Sequence, residues 1–492
     1  MLLPARVECA IRLERQQPQD IVTPSGLWTV LKGLRLRMRK TNPFDWLRRV
    51  YVTGPLSRAD LAEIENVTPG HVGVVIRQAL NRGLLVEGGP APSNGGRPRI
   101  LLQTNPDFAK LIGIDIGRAR IRFVITDFVG KLLHYDWLPT GSFTGKDHLL
   151  RVVHDKLKSH LAQFPEIAAI GISHSGVIDP HAGKVLFWPM VEGWEDTPLR
   201  QIFEDVSGLP VSLGDTVRAT AVTEERFGHA KGLRDFLLVR VGWGIGSAIF
   251  IDGRVYIGRD GLAGELGHTT VEVNGERCSC GNQGCLELLS SASAIVRRVR
   301  SELERGIDSS LRRELGENLD QLSVEVIASA AKSGDRLSER ILSEAGTYLG
   351  IALASMVNFI NPEKVILAGR VPQAAGETLL NPLLYNLRHR ALQHTVKDLE
   401  VVVSQLGGEA APIGMALIAG EGVLKARCEE IAGRTTRGQK WLDTSQKGEN
   451  PIIGNLQGSQ ATGRESRLAA CDVSPCSSPV RDNPNNPLLP PR

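Results

Sequence analysis

The stretch Lys110-Leu-Ile-Gly-Ile-Asp115-Ile-Gly117 decides the fold, because it opens a pattern of strand, glycine turn and strand that the chain uses twice. Ile121-Arg-Phe-Val-Ile-Thr-Asp127 continues the pattern, and a third apolar segment follows. Residues 236–258 repeat the plan and include Asp252-Gly253, which favours a two-residue hairpin turn because both positions tolerate a positive φ. Helices alternating with short buried strands follow each copy. The pattern predicts an α/β fold of two similar halves around a central cleft.

Length and composition narrow the class of protein. The chain has 492 residues, enough for two or three domains, and its 42% hydrophobic and 23% charged residues are ordinary for a globular protein. The net charge of +4 is too small to indicate nucleic-acid binding by itself. No apolar run approaches the length of a membrane span, and charged residues interrupt the N-terminal region where a signal peptide would be apolar. We therefore expect a cytoplasmic protein with no membrane partner.

The chain divides into four parts by composition. Residues 1–40 are basic and poorly patterned, and we expect a flexible arm. Residues 41–103 are typical of a compact helical unit with a short hairpin, and residues 110–425 form the glycine-rich α/β region. Residues 430–492 lose the apolar periodicity and are rich in Ser, Gly, Asn and Pro, so we expect a disordered tail.

The unit at 41–103 carries the capping signals of a helix-turn-helix. Ser57 is a suitable cap for a first helix, with Asp60 at the third position of a capping box, and Asn66 allows a tight turn. Thr68 is a suitable cap for a second helix, which has Pro69 at its first position. This order matches the helix-turn-helix units that bind DNA. The residues expected to face DNA from these helices are Ser57, Arg58, Thr68, Gly70, His71, Gly73 and Arg77.

A wing is predicted beside the second helix. A strand at 84–87 is followed by a loop at 88–96 and then by Arg97-Pro98-Arg99, an extended segment whose arginines can enter a minor groove. The alternative is a helical protein-binding module with a solvated basic loop. The combination of a wing with a helix-turn-helix favours DNA.

A cysteine cluster predicts a metal site. The motif Cys278-Ser-Cys280-Gly281-Asn-Gln-Gly284-Cys285-Leu-Glu287 begins ten residues after His268. Three thiols and an imidazole at these spacings can close a tetrahedral zinc site, and the two glycines let the loop fold back so that Cys285 reaches the same ion. Clustered thiols have little other use in a reducing compartment. The other four of the seven cysteines are scattered and are expected to be free thiols.

The cysteine motif and the preceding Gly264-Glu265-Leu266-Gly267-His268 together resemble the zinc and sugar-binding signature of the ROK family (repressors, open reading frames and kinases). The segments 57–62 and 95–98 also resemble the winged helix of its repressor branch, the NagC/Mlc/XylR type. The resemblance covers roughly residues 42–425. It implies a winged helix-turn-helix followed by a two-lobed actin/hexokinase-like (ribonuclease H-like) domain that binds sugar in its cleft.

The resemblance also implies roles for individual residues. A structural Zn²⁺ would be held by His268, Cys278, Cys280 and Cys285. Asp215 matches the general base of the kinase members, although it is equally suited to cap the helix that follows it. Trp194 matches a segment near the sugar pocket. The sugar-binding residues implied by the resemblance are Ser175, Gly176, Asp215, Glu265, His268 and Glu287.

The two glycine turns that would hold ATP phosphates depart from the kinase pattern. The first usually reads Asp-x-Gly-Gly-Thr, but here Arg118 and Ala119 replace the last two residues. The second usually reads Gly-Thr-Gly-Ile-Gly, but Trp243 replaces the threonine. The flanking asparagines of the kinase sugar motif are also missing around Asp215. This combination predicts a sensor without kinase activity; an active sugar kinase with an appended DNA-binding domain is the alternative.

The predicted function is therefore a sugar-responsive transcriptional regulator, most simply a repressor of carbohydrate uptake or catabolism genes. The expected partners are a sugar or sugar phosphate, a second copy of the chain in a homodimer or homotetramer, and a double-stranded operator with an A·T-rich inverted repeat. A third interpretation is a DNA-binding protein whose α/β region only dimerises and binds a partner protein.

Overall fold

The computed structural model describes residues 43–91, 98–188 and 191–431. The predicted arm at 1–40 and all but the first two residues of the predicted tail at 430–492 lie outside the described residues, as does Arg97 of the wing. Within the described part of the chain, no helix is both long enough and apolar enough to span a bilayer.

The N-terminal domain is a winged helix-turn-helix, as predicted. Asp60 N donates to the Ser57 hydroxyl and Ser57 N donates to the Asp60 carboxylate, which completes the capping box. Thr68 caps the second helix of the motif, and Asn66 takes the positive φ of 51° that the tight turn requires. Its strands pair antiparallel in the order β1-β3-β2. The elements are α1 (Pro43–Thr53), β1 (Leu56–Ser57), α2 (Arg58–Ile64), α3 (Pro69–Asn81), β2 (Leu85–Pro90) and β3 (Ile100–Thr104).

The first lobe of the α/β region is built on a five-stranded sheet in the order β10-β7-β4-β5-β6. Strands β4, β5 and β6 are an antiparallel meander, and β7 and β10 continue the sheet in parallel. The elements are β4 (Lys110–Ile116), β5 (Arg120–Thr126), β6 (Leu132–Pro139), α4 (Lys146–Gln163), β7 (Ile167–His174), β8 (Val177–Asp179), β9 (Lys184–Phe187), α5 (Leu199–Ser207) and β10 (Val211–Asp215).

The second lobe repeats this plan after helix α6 (Thr216–Phe227), which connects the lobes. Its sheet has the order β13-β12-β11-β14-β15. The strands are β11 (Phe236–Val241), β12 (Ile245–Ile251), β13 (Arg254–Tyr256), β14 (Lys364–Ala368) and β15 (Glu400–Val403). The helices are α7 (Glu287–Ser290), α8 (Ala292–Glu304), α9 (Ser310–Leu315), α10 (Val324–Lys332), α11 (Arg336–Ile360), α12 (Arg370–Ala375), α13 (Glu377–Arg390) and α14 (Gln393–Val396). The last helix, α15 (Ala410–Ile431), returns to the first lobe and packs against β4 and β7.

The predicted duplication is confirmed by the sheet topology. Each sheet consists of a three-stranded antiparallel meander whose first strand is followed, on its other side, by two parallel strands. Asp252 and Gly253 form the predicted hairpin turn, with φ values of 55° and 69°. Central strands such as β4 are buried on both faces, which explains their nearly continuous apolar sequence.

The winged helix shares a hydrophobic core with the first lobe. Trp46 and Tyr51 of α1 are fully buried in the same cluster as Leu111 of β4, Phe128 and Leu417 of α15. The Tyr51 hydroxyl donates to the Leu417 carbonyl at 3.3 Å. Aromatic side chains of this size dominate the energetics of such a contact. The winged helix is therefore packed onto the α/β region rather than tethered to it.

Candidate ligand-binding cleft, metal centre and DNA-binding surface

The four predicted metal ligands meet in one loop. One ligand atom from each of His268, Cys278, Cys280 and Cys285 lies within 4.8 Å of the other three. Cys278 Sγ is 3.7 Å from His268 Nδ1, and Cys280 Sγ is 3.7 Å from Cys285 Sγ. In a tetrahedral zinc site with Zn–S bonds of about 2.3 Å, neighbouring sulfurs lie about 3.8 Å apart. The spacing of the four donors therefore fits Zn²⁺.

Backbone contacts prepare this loop for a metal. Cys278 N donates to Asn282 O at 2.8 Å and the Asn282 amide donates to His268 O at 2.9 Å, so the two arms of the site are tied together. Gly284 has a φ of +67°, and a Cβ there would lie 1.7 Å from Glu272 O. Glycine is required at this position because the turn passes directly over the neighbouring backbone.

Asp215 lies at the N-terminus of α6, at the cleft between the lobes. One carboxylate oxygen accepts from Val217 N at 2.9 Å and Arg218 N at 2.8 Å, so the predicted N-cap role is real. The other oxygen, Oδ2, is buried and accepts no hydrogen bond from any described residue, although Arg218 Nε lies 3.1 Å away in an ion pair. A carboxylate oxygen can accept more than one hydrogen bond, so Oδ2 can still accept from a ligand.

Glu265 and Glu287 face the same region as Asp215. Burial raises the pKa of the Glu265 carboxyl, and the nearby Asp215 and Glu287 carboxylates add to that rise. Glu287 accepts from Ile245 N at 2.8 Å and so fixes the second glycine turn. The structure therefore brings the three predicted sugar-binding carboxylates together near His268, a predicted metal ligand.

Arg218 is a further residue of this candidate site, and it was not predicted from the sequence. Its guanidinium donates to Ala263 O at 2.7 Å as well as pairing with Asp215, and so joins α6 to the loop that carries Glu265. The signal was available, because Asp and Arg three residues apart on a helix are expected to meet.

Ser175 and Gly176 follow β7 and contact the first lobe. Ser175 N and its hydroxyl both donate to Ile116 O, at 3.2 and 3.3 Å. Gly176 N donates to His174 Nδ1 at 2.9 Å. No described contact joins either residue to the three carboxylates, so their predicted role in sugar binding stays a prediction.

An aromatic cluster packs beside the turn at Ser175 and Gly176. His174 is fully buried between Trp188 and predicted pocket residue Trp194, with ring centroids 4.6 and 4.8 Å away. Burial lowers the pKa of His174 to about 3, so this imidazole is neutral.

The first glycine turn surrounds Asp115, which is fully occupied by protein groups. Its carboxylate accepts from Ser173 at 2.9 Å, Thr216 at 3.1 Å and Arg122 at 3.0 Å. Arg240 of β11 lies near the same carboxylate, and burial lowers the pKa of its guanidinium. Two arginines therefore lie near one carboxylate at the first glycine turn.

The two residues that depart from the kinase pattern contact each other across the cleft. The Arg118 guanidinium of the first turn lies over the Trp243 ring of the second turn, 4.7 Å from its centroid. A cation–π contact at this distance is favourable by about 0.5–1 kcal/mol at a partly exposed site. It joins the two lobes at the place where ATP phosphates lie in the kinase pattern.

The recognition helix α3 presents a surface of small side chains. Gly70 and Gly73 have open space around them, and Arg77 and Val74 are exposed. Val74 is 57% exposed on the same surface, although it was not among the residues predicted to face DNA. His71 is also exposed, but its ring packs edge-on against Trp46 at 5.1 Å.

The remaining predicted DNA contacts divide into three groups. The prediction that Ser57 contacts DNA is corrected, because its side chain is buried as the N-cap of α2 and does not reach the surface. Thr68 is exposed at the start of α3. Arg58 pairs with Glu87 at 3.1 Å and Arg99 pairs with Asp60 at 2.8 Å. Exposed pairs of this kind are weak, so both arginines can exchange their carboxylate for a phosphate.

Helix α6 joins the cleft to the winged helix. Its last residues reach α1, where the Arg226 guanidinium donates to Tyr51 O and lies 4.7 Å from the Tyr51 ring centroid. The helix packs against α15 so closely that a Cβ on Gly414 would lie 1.8 Å from Ala219 O. A helix of 12 residues spans about 18 Å. Asp215 at its start and Arg226 near its end therefore belong to one rigid element.

Glu225 is expected to make the free energy of unfolding depend on pH. Burial raises the pKa of Glu225 from 4.5 to about 7, despite the neighbouring Arg48 and Arg226 and with Glu421 adding to the rise. Between these values the unfolded chain loses the proton first, so the free energy of unfolding falls as pH rises, by up to about 3 kcal/mol. Glu225→Gln is expected to remove this loss, matching the wild type near pH 5 and exceeding its thermal stability at pH 8. Parallel stability profiles for the two proteins would contradict it.

The topology and the cleft define the class of this protein: a two-lobed actin/hexokinase-like domain, with a cysteine-rich loop, that follows a winged helix-turn-helix. The ROK family model matches residues 111–421. The chain belongs to the ROK family, and the predicted resemblance is confirmed.

Relatives of known name cover most of the chain. The xylose repressor of Caldicellulosiruptor bescii is 31% identical over 386 residues, 78% of this chain and 96% of that repressor. The DNA-binding transcriptional dual regulator NagC of Escherichia coli K12 is 33% identical over 371 residues, 74% of this chain and 89% of NagC.

Solved structures agree with this assignment. A ROK family transcriptional regulator described as a homologue of the Escherichia coli MLC protein superposes with a TM-score of 0.68 at 29% identity and covers 79% of this chain and 99% of its own. A ROK glucokinase from Streptomyces griseus, in complex with glucose and AMPPNP, has a TM-score of 0.55 at 29% identity and covers 63% of this chain and 99% of its own. The regulator thus accounts for a larger share of the chain than the kinase does.

Proposed function

We propose that the protein is a sugar-responsive transcriptional regulator that represses genes of carbohydrate uptake or catabolism. The observation that carries the proposal is the continuity between two sites. The carboxylates of the cleft and the helices of the DNA-binding domain are joined by α6 and by a shared hydrophobic core. The named relatives, a xylose repressor and NagC, support the same function. A protein that binds chromosomal DNA works in the cytoplasm.

The cleft offers acceptors that suit a sugar. Asp215 Oδ2 accepts no geometrically good hydrogen bond from the described residues, and Glu265 lies near it in a partly buried setting. Carboxylates accept well from neighbouring hydroxyls, and hydrogen bonds to charged groups contribute about 1.5–3 kcal/mol each. The metal-fixed loop lowers the cost of ordering Glu265 and Glu287 around a ligand.

The excess of arginine near Asp115 favours a ligand that carries an anionic group. Arg240 has no hydrogen bond or ion pair among the described residues, because Asp115 is already occupied by Arg122, Ser173 and Thr216. A phosphorylated sugar is therefore the first effector to try beside the free sugar.

The recognition helix is expected to enter the major groove. Gly70 and Gly73 allow close approach of the backbone, Val74 offers a methyl surface for thymine, and Arg77 can reach a guanine or a phosphate. The wing, with Arg97 and Arg99, would lie at the adjacent minor groove. Two copies of the chain would read an A·T-rich inverted repeat, one half-site each, in a homodimer or a homotetramer.

Cleft closure offers a route for regulation. The winged helix contacts the first lobe through its core and the second lobe through Arg254 of β13, which pairs with Asp45 of α1 at 2.8 Å. A sugar that closes the lobes would move the second lobe relative to the first, and so would shift the winged helix that contacts both. The resulting coupling equals the difference in sugar affinity between the two states, typically about 1–3 kcal/mol.

The contacts around the glycine turns argue against kinase activity. Phosphoryl transfer requires a carboxylate for the metal and open glycine turns for the phosphates. Here Asp115 is neutralised by Arg122, and Arg118 and Trp243 fill the space between the turns. The sensor function is therefore preferred over the sugar kinase with an appended DNA-binding domain.

We expect the purified protein to show no kinase activity with any sugar that it binds. Any rate of ADP release should lie at least about a thousandfold below the 1–100 s⁻¹ of typical kinases. A coupled assay of ADP release over a panel of sugars checks this. Sugar-dependent release that disappears in Asp215→Asn would contradict the sensor and establish the kinase.

We propose Zn²⁺ as the occupant of the cysteine loop, where it would have a structural role. Cys280→Ser is expected to lower the zinc content from one ion per loop toward none and to destabilise the second lobe, because structural zinc contributes folding free energy directly. Ser279→Ala, one residue away, is the matched control. Zinc content by mass spectrometry and thermal unfolding check the prediction, and a fully stable, zinc-free variant would contradict it.

The proposed function is tested by a thermal-shift panel of free and phosphorylated sugars. A specific ligand should raise the unfolding temperature and release the protein from DNA at the same concentrations. A panel without any shift would favour the third interpretation, in which the α/β region only dimerises and binds a partner protein.

A further inference from the structure

A second cluster of metal-ligating side chains lies in the first lobe, on strands and helices separate from the cysteine loop. His134 and Asp136 are two residues apart on β6 and share a face of the strand, and His160 lies in the last turn of α4. One ligand atom from each lies within 4.8 Å of the other two.

His160 is the unexplained member of this cluster. Its side chain is only 3% exposed, yet neither ring nitrogen has a hydrogen-bond partner among the described residues. It packs against the rings of His134 and Phe123, with centroids 5.2 and 5.5 Å away. Buried imidazole nitrogens are nearly always satisfied by a protein group, a water or a metal.

Asp136 is oriented to offer one oxygen to a cation. Its Oδ1 accepts from Trp137 N at 2.7 Å, which leaves Oδ2 facing His160 Nε2 at 3.8 Å. The Lys156 ammonium also contacts Oδ2, so a positive charge already stands where a metal ion would. Zinc bound to nitrogen and oxygen at about 2.1 Å places neighbouring ligands about 3.4 Å apart. The 3.8 Å between His160 Nε2 and Asp136 Oδ2 would need to shorten by only a few tenths of an ångström.

We propose that His134, Asp136 and His160 form a second metal site, which takes a divalent transition metal such as Zn²⁺, Co²⁺ or Ni²⁺. Two imidazoles and one carboxylate are the donor set that these ions prefer, with water completing the coordination. The Lys156 stem is flexible and partly exposed, so its ammonium can leave when the metal enters. The bound ion would fasten the edge strand β6 to α4, and Lys156 would compete with it for Asp136.

The test compares the full chain with its variants at micromolar free zinc. The wild type is expected to bind one more zinc ion than His134→Gln and Asp136→Asn do, while Lys156→Gln binds that ion several-fold more tightly than the wild type. His148→Gln, on the same helix but outside the cluster, should behave as the wild type. The readout is a difference between variants, so it does not depend on whether the cysteine loop holds zinc.

Cobalt separates the two sites by spectroscopy. Cobalt in the cysteine loop would give intense sulfur charge-transfer bands, whereas cobalt on His134, Asp136 and His160 would add only the weak visible bands of nitrogen and oxygen ligands. Circular dichroism identifies any variant that fails to fold. If one of His134→Gln and Asp136→Asn is unfolded, the metal content of the other one tests the proposal. Equal metal content in the wild type, Lys156→Gln and His134→Gln would overturn the proposal.

Discussion

Replacing Glu265 with glutamine is expected to weaken the response of DNA binding to sugar strongly while leaving the affinity for DNA unchanged. Glu265 lies near Asp215, on the loop that Arg218 ties to α6. The amide removes the negative charge and replaces one acceptor with a donor. Loss of a hydrogen bond to a charged group costs about 1.5–3 kcal/mol, which raises the effector concentration for release by about 10–150-fold. Titration of a labelled operator complex with sugar measures the change.

Glu276→Gln is the matched control for this variant. Glu276 lies between His268 and Cys278 in sequence, but it is exposed and pairs with Arg297 at 3.0 Å, outside the cleft. It should retain both DNA affinity and the sugar response. Unchanged sugar sensitivity in Glu265→Gln would show that the ligand does not bind at these carboxylates. Loss of DNA binding together with the sugar response would instead indicate a folding defect.

Replacing Arg226 with methionine is expected to separate the two sites. The variant loses the contact of α6 with the carbonyl and ring of Tyr51, which lie in the DNA-binding domain. Sugar should still bind the cleft and the operator should still bind the recognition helix. The coupling between them, about 5–150-fold in typical allosteric proteins, should fall toward one. Because coupling is reciprocal, the sugar affinity of this variant should be the same with and without operator DNA.

The comparison for Arg226→Met is Arg234→Met, an arginine beyond the end of α6 that pairs on the surface with Asp252. It should keep the full coupling. Calorimetry gives the sugar affinity, and fluorescence anisotropy gives the operator affinity, each with and without the other ligand. Full coupling in Arg226→Met would rule out α6 as the connection, whereas a loss of both affinities would assign Arg226 a merely structural role.

Local patterns made the fold and the clustering of the four candidate metal ligands predictable from sequence. The capping box of Ser57 and Asp60, the hairpin at Asp252 and the cysteine spacing each depend on neighbouring residues, and each is present in the structure. The doubled strand pattern predicted two lobes because buried strands have a distinct period. Such features need no knowledge of distant contacts.

The links between sites could not be predicted, because they depend on residues far apart in sequence. Arg118 was identified only as a defect in a phosphate turn, and its contact with Trp243 requires both lobes in place. The burial of Tyr51 against Leu417 joins two ends of the chain and has no local signal. Ser57 was wrongly assigned to the DNA surface because a cap and a phosphate contact require the same hydroxyl.

The central claim is that one protein reads DNA and releases it in response to a sugar. The most direct measurement is the selection of bound duplexes from a random DNA pool at physiological salt, with and without the sugars found by thermal shift. We expect enrichment of an A·T-rich inverted repeat, and loss of that enrichment with one sugar or sugar phosphate. Salt-sensitive binding without any enriched sequence, unaffected by every sugar, would contradict the account.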